Sequence, residues 1–239
     1  MNSSKLSLFY ALLTLNSAGA ATTSVSFWAY DQYAGNSPYY SHYGVSGINA
    51  IDLNDRGWGF STNSTSSYHV STYIRPSLGN QGTLRTVGWH QYEFTYNDLT
   101  QQTSILMDGS TILSGPYNVA PSNFYFGMHD YYGGTQETVI DDFEVKLNGS
   151  LVYQQNFEST TMPDGWSITG LNPGTYITSG DPSTPHSGSG SLAIGATTGG
   201  NLFAGIAFDL SSIPEPSSII LGIAALCGMA LSRNRPKSS

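Results

Sequence analysis

The sequence predicts an all-β sandwich. Three observations point there: short segments in which apolar and polar residues alternate, turn pairs between those segments, and no stretch with sustained helical periodicity. Composition agrees. Of the 239 residues, 13% are aromatic and only 10% charged, which suits large buried rings and not a disordered chain.

The elements follow in order. In Ser24–Tyr30, SVSFWAY, Val25, Phe27 and Ala29 alternate with Ser26, Trp28 and Tyr30. In Trp89–Tyr96, WHQYEFTY, one face carries Tyr92, Phe94 and Tyr96 and the other Gln91, Glu93 and Thr95. Asn97-Asp98 is a turn pair, and Thr103–Met107 returns as a strand. Asp108-Gly109 then predicts a tight hairpin into Ser110–Leu113. Phe124–Met128 and Thr138–Val145 are further strands, and the second is expected to place Val139, Asp141, Phe143 and Val145 on one face. Its other face then carries Ile140, Asp142 and Glu144. Ser61–Thr72, rich in Ser and Thr, reads as polar strand-and-loop material.

Charge excludes one class of partner. Between the two ends the chain keeps only Arg56, Arg75, Arg85 and Lys146 as basic residues, and all its acids but Glu215. Such a surface repels phosphate backbones, so nucleic acid is not expected. The single cysteine, Cys227, lies in a C-terminal apolar run, so no disulfide or cysteine metal site is expected in the folded part. The five histidines are scattered without zinc spacing, and no nucleophile-elbow, phosphate-loop or dinucleotide motif occurs.

The two ends read as addresses. Residues 1–20 have Lys5, an apolar run Leu6–Leu15 and an Ala18-Gly19-Ala20 cleavage pattern, as a secretory signal does. Ser217–Leu231 is uncharged; as a helix it measures roughly 22 Å, against about 30 Å for a hydrocarbon core. Pro214 and Pro216 block helix upstream, and Arg233, Arg235 and Lys237 follow as a positive stop. The order Pro214-Glu215-Pro216, apolar run, Arg233 and Arg235 resembles the PEP-CTERM sorting signal of exopolysaccharide-producing Gram-negative bacteria. The basic tuft is interrupted here, Arg-Asn-Arg-Pro-Lys. The resemblance implies passage through the secretion machinery, transient anchoring by a membrane helix over 217–231, and processing by an exosortase. It also implies delivery to the cell surface or extracellular matrix. The sorting segment spans 213–237, and the expected β-sandwich domain 21–212.

Gly88–Leu113 is similar to a W-H…T-Y…D-G segment of laminin-G and concanavalin A-like sandwiches, and Ile140–Val145 to their closing strand. This resemblance implies a jelly-roll β-sandwich. Asn156–Gly170 and His186–Gly195 look like the opening strands of extracellular jelly-roll modules, yet they come last here. One circularly permuted jelly roll, with 150–212 opening it and 22–149 completing it, is the expected arrangement; two separate β units are the alternative.

Expected sites follow from this picture. Jelly-roll modules of this kind often hold a structural Ca²⁺ where the closing and opening strands meet, so Asp142 and Glu158 are the implied ligands. Tyr33, Tyr39, Tyr40, Tyr43, Tyr131 and Tyr132 lie in two aromatic loops, Tyr30–Gly44 and His129–Gly134, suited to stacking on sugar rings of an extracellular polysaccharide. The expected function is therefore a surface or matrix module, non-catalytic and glycan-binding or structural. The alternative is a weak glycoside hydrolase using Asp142 and Glu144, two residues apart on a strand and so roughly 6.5–7 Å apart on one face.

Overall fold

The computed structural model describes residues 21–31, 39–46, 57–62, 67–72, 80–84, 86–116, 122–130, 136–197 and 202–213. The fold is all-β. Among the described residues fifteen strands form two sheets, and the one short helix is a 3-10 turn, Leu210–Ser212. Residues 21–210 make one compact unit.

The eight-stranded sheet is built on β1 (Thr22–Asp31), which lies between β10 (Gln136–Leu147) and β6 (Gly88–Asn97). Outside β6 come β7 (Gln102–Met107) and β8 (Ser110–Pro116). On the far side of β10, β14 (Ser191–Ala196) is followed by β13 (Thr175–Asp181), and β11 (Ser150–Gln155) also pairs with β10. The seven-stranded sheet runs from β12 (Trp166–Leu171) through β15 (Leu202–Asp209), β9 (Asn123–Asp130), β2 (Tyr39–Ser46), β3 (Gly57–Thr62) and β4 (Ser67–Thr72) to β5 (Asn80–Leu84). Residues 150–212 thus supply strands to both sheets.

Alternation explains the core. Val25, Phe27 and Ala29 of β1 and Tyr92, Phe94 and Tyr96 of β6 are all buried. Phe27 meets Phe124 and Phe126 of the opposite sheet edge to face, with ring centroids 5.4 and 4.8 Å apart. A second aromatic group surrounds Phe143, whose ring lies 5.0 Å from Trp166 and 5.3 Å from Phe208. Fully burying such rings contributes about 1.5–3 kcal/mol each.

The segment resembling laminin-G sandwiches has a structural explanation. Asp108 and Gly109 take positive φ, 48° and 75°, and close the β7–β8 hairpin. The Asp108 carboxylate accepts the Gln91 N–H (2.9 Å) and contacts His90 Nδ1 (2.8 Å), while His90 Nε2 lies 3.0 Å from the Thr86 carbonyl. His90 thereby staples β6 to the hairpin with both ring nitrogens engaged.

Two expectations change. Tyr39, Tyr40 and Tyr43, read as loop residues, lie in β2. In β10 the expected single face of Val139, Asp141, Phe143 and Val145 is broken by a bulge. Val145 pairs with Val25 and Ile140 with Ala29, yet Asp141 pairs with Trp28, on the opposite face from Phe27. One extra residue sits opposite Phe27, and Asp142 absorbs it with φ 49°. Ile140, Phe143 and Val145 therefore face inward, and Asp141 faces out. No helix among the described residues is long and apolar enough to cross a membrane. The signal segment 1–20, the helix 217–231, Pro214, Glu215, Pro216, Arg233 and Arg235 lie outside the described residues, as do Tyr33, Tyr131 and Tyr132.

Candidate functional site

The bulge builds a site on the outer face of the larger sheet. Trp28 pairs with Asp141 on one side and Gln91 on the other; Tyr30 pairs with Trp89. Over this surface lies the loop from Pro182 to Gly190, which joins β13 to β14 and carries His186. The His186 ring stacks on Trp28 at 4.0 Å and 15°, and meets Trp89 edge to face at 5.2 Å.

Two consecutive carboxylates of β10 hold that loop, each in its own way. Asp141 is fully buried. Its Oδ2 accepts the main-chain N–H groups of His186 (2.9 Å) and Ser187 (3.1 Å), and its Oδ1 accepts that of Asp142 (2.8 Å). Asp142 takes the side chains instead: Oδ2 lies 2.8 Å from His186 Nδ1, and Oδ1 accepts the Ser187 hydroxyl at 2.8 Å. In a regular strand successive residues point to opposite faces; the left-handed turn at Asp142 lets both address one loop.

Burial pushes the Asp141 carboxyl above the usual aspartate range, and the charge of Asp142 adds to the rise. The N–H groups of Ser187, Asp142 and His186 oppose it without cancelling it. A third carboxylate, Glu158, is exposed and accepts both the N–H and the hydroxyl of Ser189, at 3.0 and 2.7 Å. These bonds hold its carboxyl below the usual glutamate range.

Asp142 and Glu158, the implied calcium ligands, do come near each other, since the charge of Asp142 opposes ionisation of Glu158. Both carboxylates face hydrogen-bond donors, and among the described residues no group of three His, Cys, Asp or Glu side chains is placed to hold a metal ion. That surround fits a bare carboxylate and not a calcium shell, which needs six to eight oxygens. The expected pairing of Asp142 with Glu144 also fails: Asp142 is turned to the loop, while Glu144 lies 2.6 Å from Lys146.

His186 carried no signal in the sequence, being one of five scattered histidines. Its site comes from a bulge in one strand and a loop some forty residues further on.

No family model and no curated protein matches the chain. Solved structures do. It is similar to scytalido-glutamic peptidase with a transition state analog inhibitor, at 13% identity and TM-score 0.41, over 75% of this chain and 97% of that one. It is similar to the same peptidase with a peptide-based transition state analog, at 14% and 0.42, with the same coverage. It is similar to SCP-B, a member of the Eqolisin family of peptidases, in complex with a tripeptide Ala-Ile-His, at 14% and 0.40, again over 75% and 97%. All three are enzymes. On that finding the expectation of a non-catalytic glycan-binding or structural module is withdrawn, and its glycoside-hydrolase alternative with it. At this identity and TM-score the likeness assigns no activity to this chain.

Proposed function

We propose that this protein is exported, sorted by its PEP-CTERM segment through an exosortase, and carries on its sandwich a hydrolytic proton-transfer site formed by Asp142 and His186. Its sheets are read as one permuted jelly roll, supported by the order of the sequence resemblances.

The observation that carries the site is the 2.8 Å contact from Asp142 Oδ2 to His186 Nδ1. An ionised carboxylate only accepts, so the ring proton belongs on Nδ1 and Nε2 is left as a base. Nε2 has no hydrogen bond to any described residue. In the proposed step Nε2 removes a proton from water as the water oxygen bonds to an acyl carbon. The same proton then passes to the leaving group as its bond to that carbon breaks. Asp142 stabilises the transient imidazolium, and the face of Trp28 adds to that by cation–π attraction.

The test is turnover of p-nitrophenyl acetate and of labelled casein by purified protein. His186→Gln is expected to lower the rate by about 10²-fold or more, with Asp142→Asn following, while near-ultraviolet circular dichroism stays native. Absence of wild-type turnover on both probes, or full activity in His186→Gln, overturns the site. The stacking of His186 on Trp28 favours a second reading, in which the pair only clamps the loop. That reading expects a lowered melting temperature in His186→Gln with no rate to lose.

A further inference from the structure

The loop between β13 and β14 is joined to the rest of the protein by an unusual set of bonds. Among the described residues, its hydrogen bonds to the rest of the fold go to carboxylates. Ser183 N–H donates to Asp181 (2.7 Å), His186 and Ser187 to Asp141 and Asp142, and Ser189 to Glu158. Three of these four acids grip by exposed or half-exposed groups. Asp141 alone is fully buried. It takes two successive main-chain N–H groups, those of the residue that carries the imidazole and the one after it.

We propose that Asp141 is the positioning residue of this site, fixing the main chain at His186 and Ser187 so that the imidazole meets Asp142 and Trp28. This role does not depend on any turnover. Asp142 and Trp28 touch side chains alone, the His186 ring and the Ser187 hydroxyl, and side chains on a free loop would pay the ordering entropy of the whole segment to reach them. Asp141 removes that freedom in advance. Its three N–H donors demand an acceptor on both oxygens. Asparagine keeps the shape but presents one oxygen and turns an NH₂ group toward N–H donors.

The experiment is amide hydrogen exchange and side-chain NMR on the full chain. In Asp141→Asn the His186 and Ser187 amides are expected to exchange at least about tenfold faster. The His186 ring protons should also leave the shielding of the Trp28 face. In Asp142→Asn those two amides are expected to keep their wild-type exchange while the ring resonances shift. A folded Asp141→Asn with unchanged amide exchange overturns the role, as does equal acceleration in Asp142→Asn. Should Asp141→Asn not fold, the wild type decides. The His186 and Ser187 amide protons are expected to shift together as Asp141 titrates, with one midpoint above the ordinary aspartate range. Amides that stay flat through that titration overturn it. Loss of hydrolysis without these changes would bear on the proton-transfer site and not on Asp141.

Discussion

Deleting Asp142 should leave the sandwich standing and abolish the site. Without it β10 alternates regularly: Ile140 inward, Asp141 outward, Phe143 inward, Val145 inward after Glu144. That is the pairing β1 already presents, with Ser26 opposite Glu144 and Trp28 opposite Asp141. The deletion relieves a left-handed residue at φ 49°, a gain of about 1 kcal/mol. It removes two hydrogen bonds from a side chain that is 23% exposed, a loss of about 1 kcal/mol each. The net cost is about 1 kcal/mol. With a urea slope of about 2 kcal/mol/M, the midpoint falls by about 0.5 M. Deleting Glu144 is the comparison. It removes the extra residue too, but regular pairing then sets Asp142 opposite Phe27 and Phe143 opposite Ser26, which turns Phe143 out of the core, where it is now fully buried, at a cost of about 3–5 kcal/mol. The expected midpoint shift is about 2 M. Urea unfolding followed by tryptophan emission measures both. Equal costs for the two deletions, or loss of the fold on removing Asp142, would refute the bulge as the device that frees Asp142 for the loop.

Other outcomes follow from the same geometry. Gly188→Ala should lower the melting temperature more than Gly109→Ala. Both have positive φ, but a Cβ on Gly188 lies 1.8 Å from Glu158 Oε1, whereas one on Gly109 meets nothing within 4 Å and costs strain alone, about 1 kcal/mol; equal shifts in a thermal melt count against this. Glu158→Gln should flatten the acid limb of stability. The folded carboxyl of Glu158 is held below its ordinary 4.5, so its contribution is complete above that value and lost as pH falls through the lowered one. Asp141 runs the other way: burial favours its protonated form, a contribution complete below 3.8 and withdrawn as pH rises through its raised value. Urea midpoints from about pH 3 to 6, across the carboxylate range, read both slopes. Tyr176 donates its hydroxyl to Glu137, and burial with that bond pushes the phenol far above its usual range. In a titration by ultraviolet absorbance, Tyr176→Phe should lose only the last-ionising part of the tyrosine signal; loss of an early part would contradict it.

Much of the fold is legible along the chain because a strand's side chains alternate by local geometry alone. Val25, Phe27 and Ala29, or Tyr92, Phe94 and Tyr96, identify their faces without knowledge of a partner. Asp108-Gly109 likewise gives its hairpin from backbone preference. The same rule misreads β10, because a bulge is a property of two strands and not of one. Nothing in Ile140-Asp141-Asp142-Phe143 says that Phe27 will meet an extra residue. The tyrosine-rich stretch was misread for a related reason: β2 is a strand because β9 and β3 lie beside it.

What the sequence by itself determined is the all-β class and the alternating core, since each rests on residues adjacent in the chain. Only the tertiary structure decided the site. Asp141, Asp142 and His186 acquire their meaning when a bulge turns two neighbouring acids toward one distant loop. Hydrogen bonds of 2.8–3.1 Å depend on positions in space that no spacing along the chain encodes.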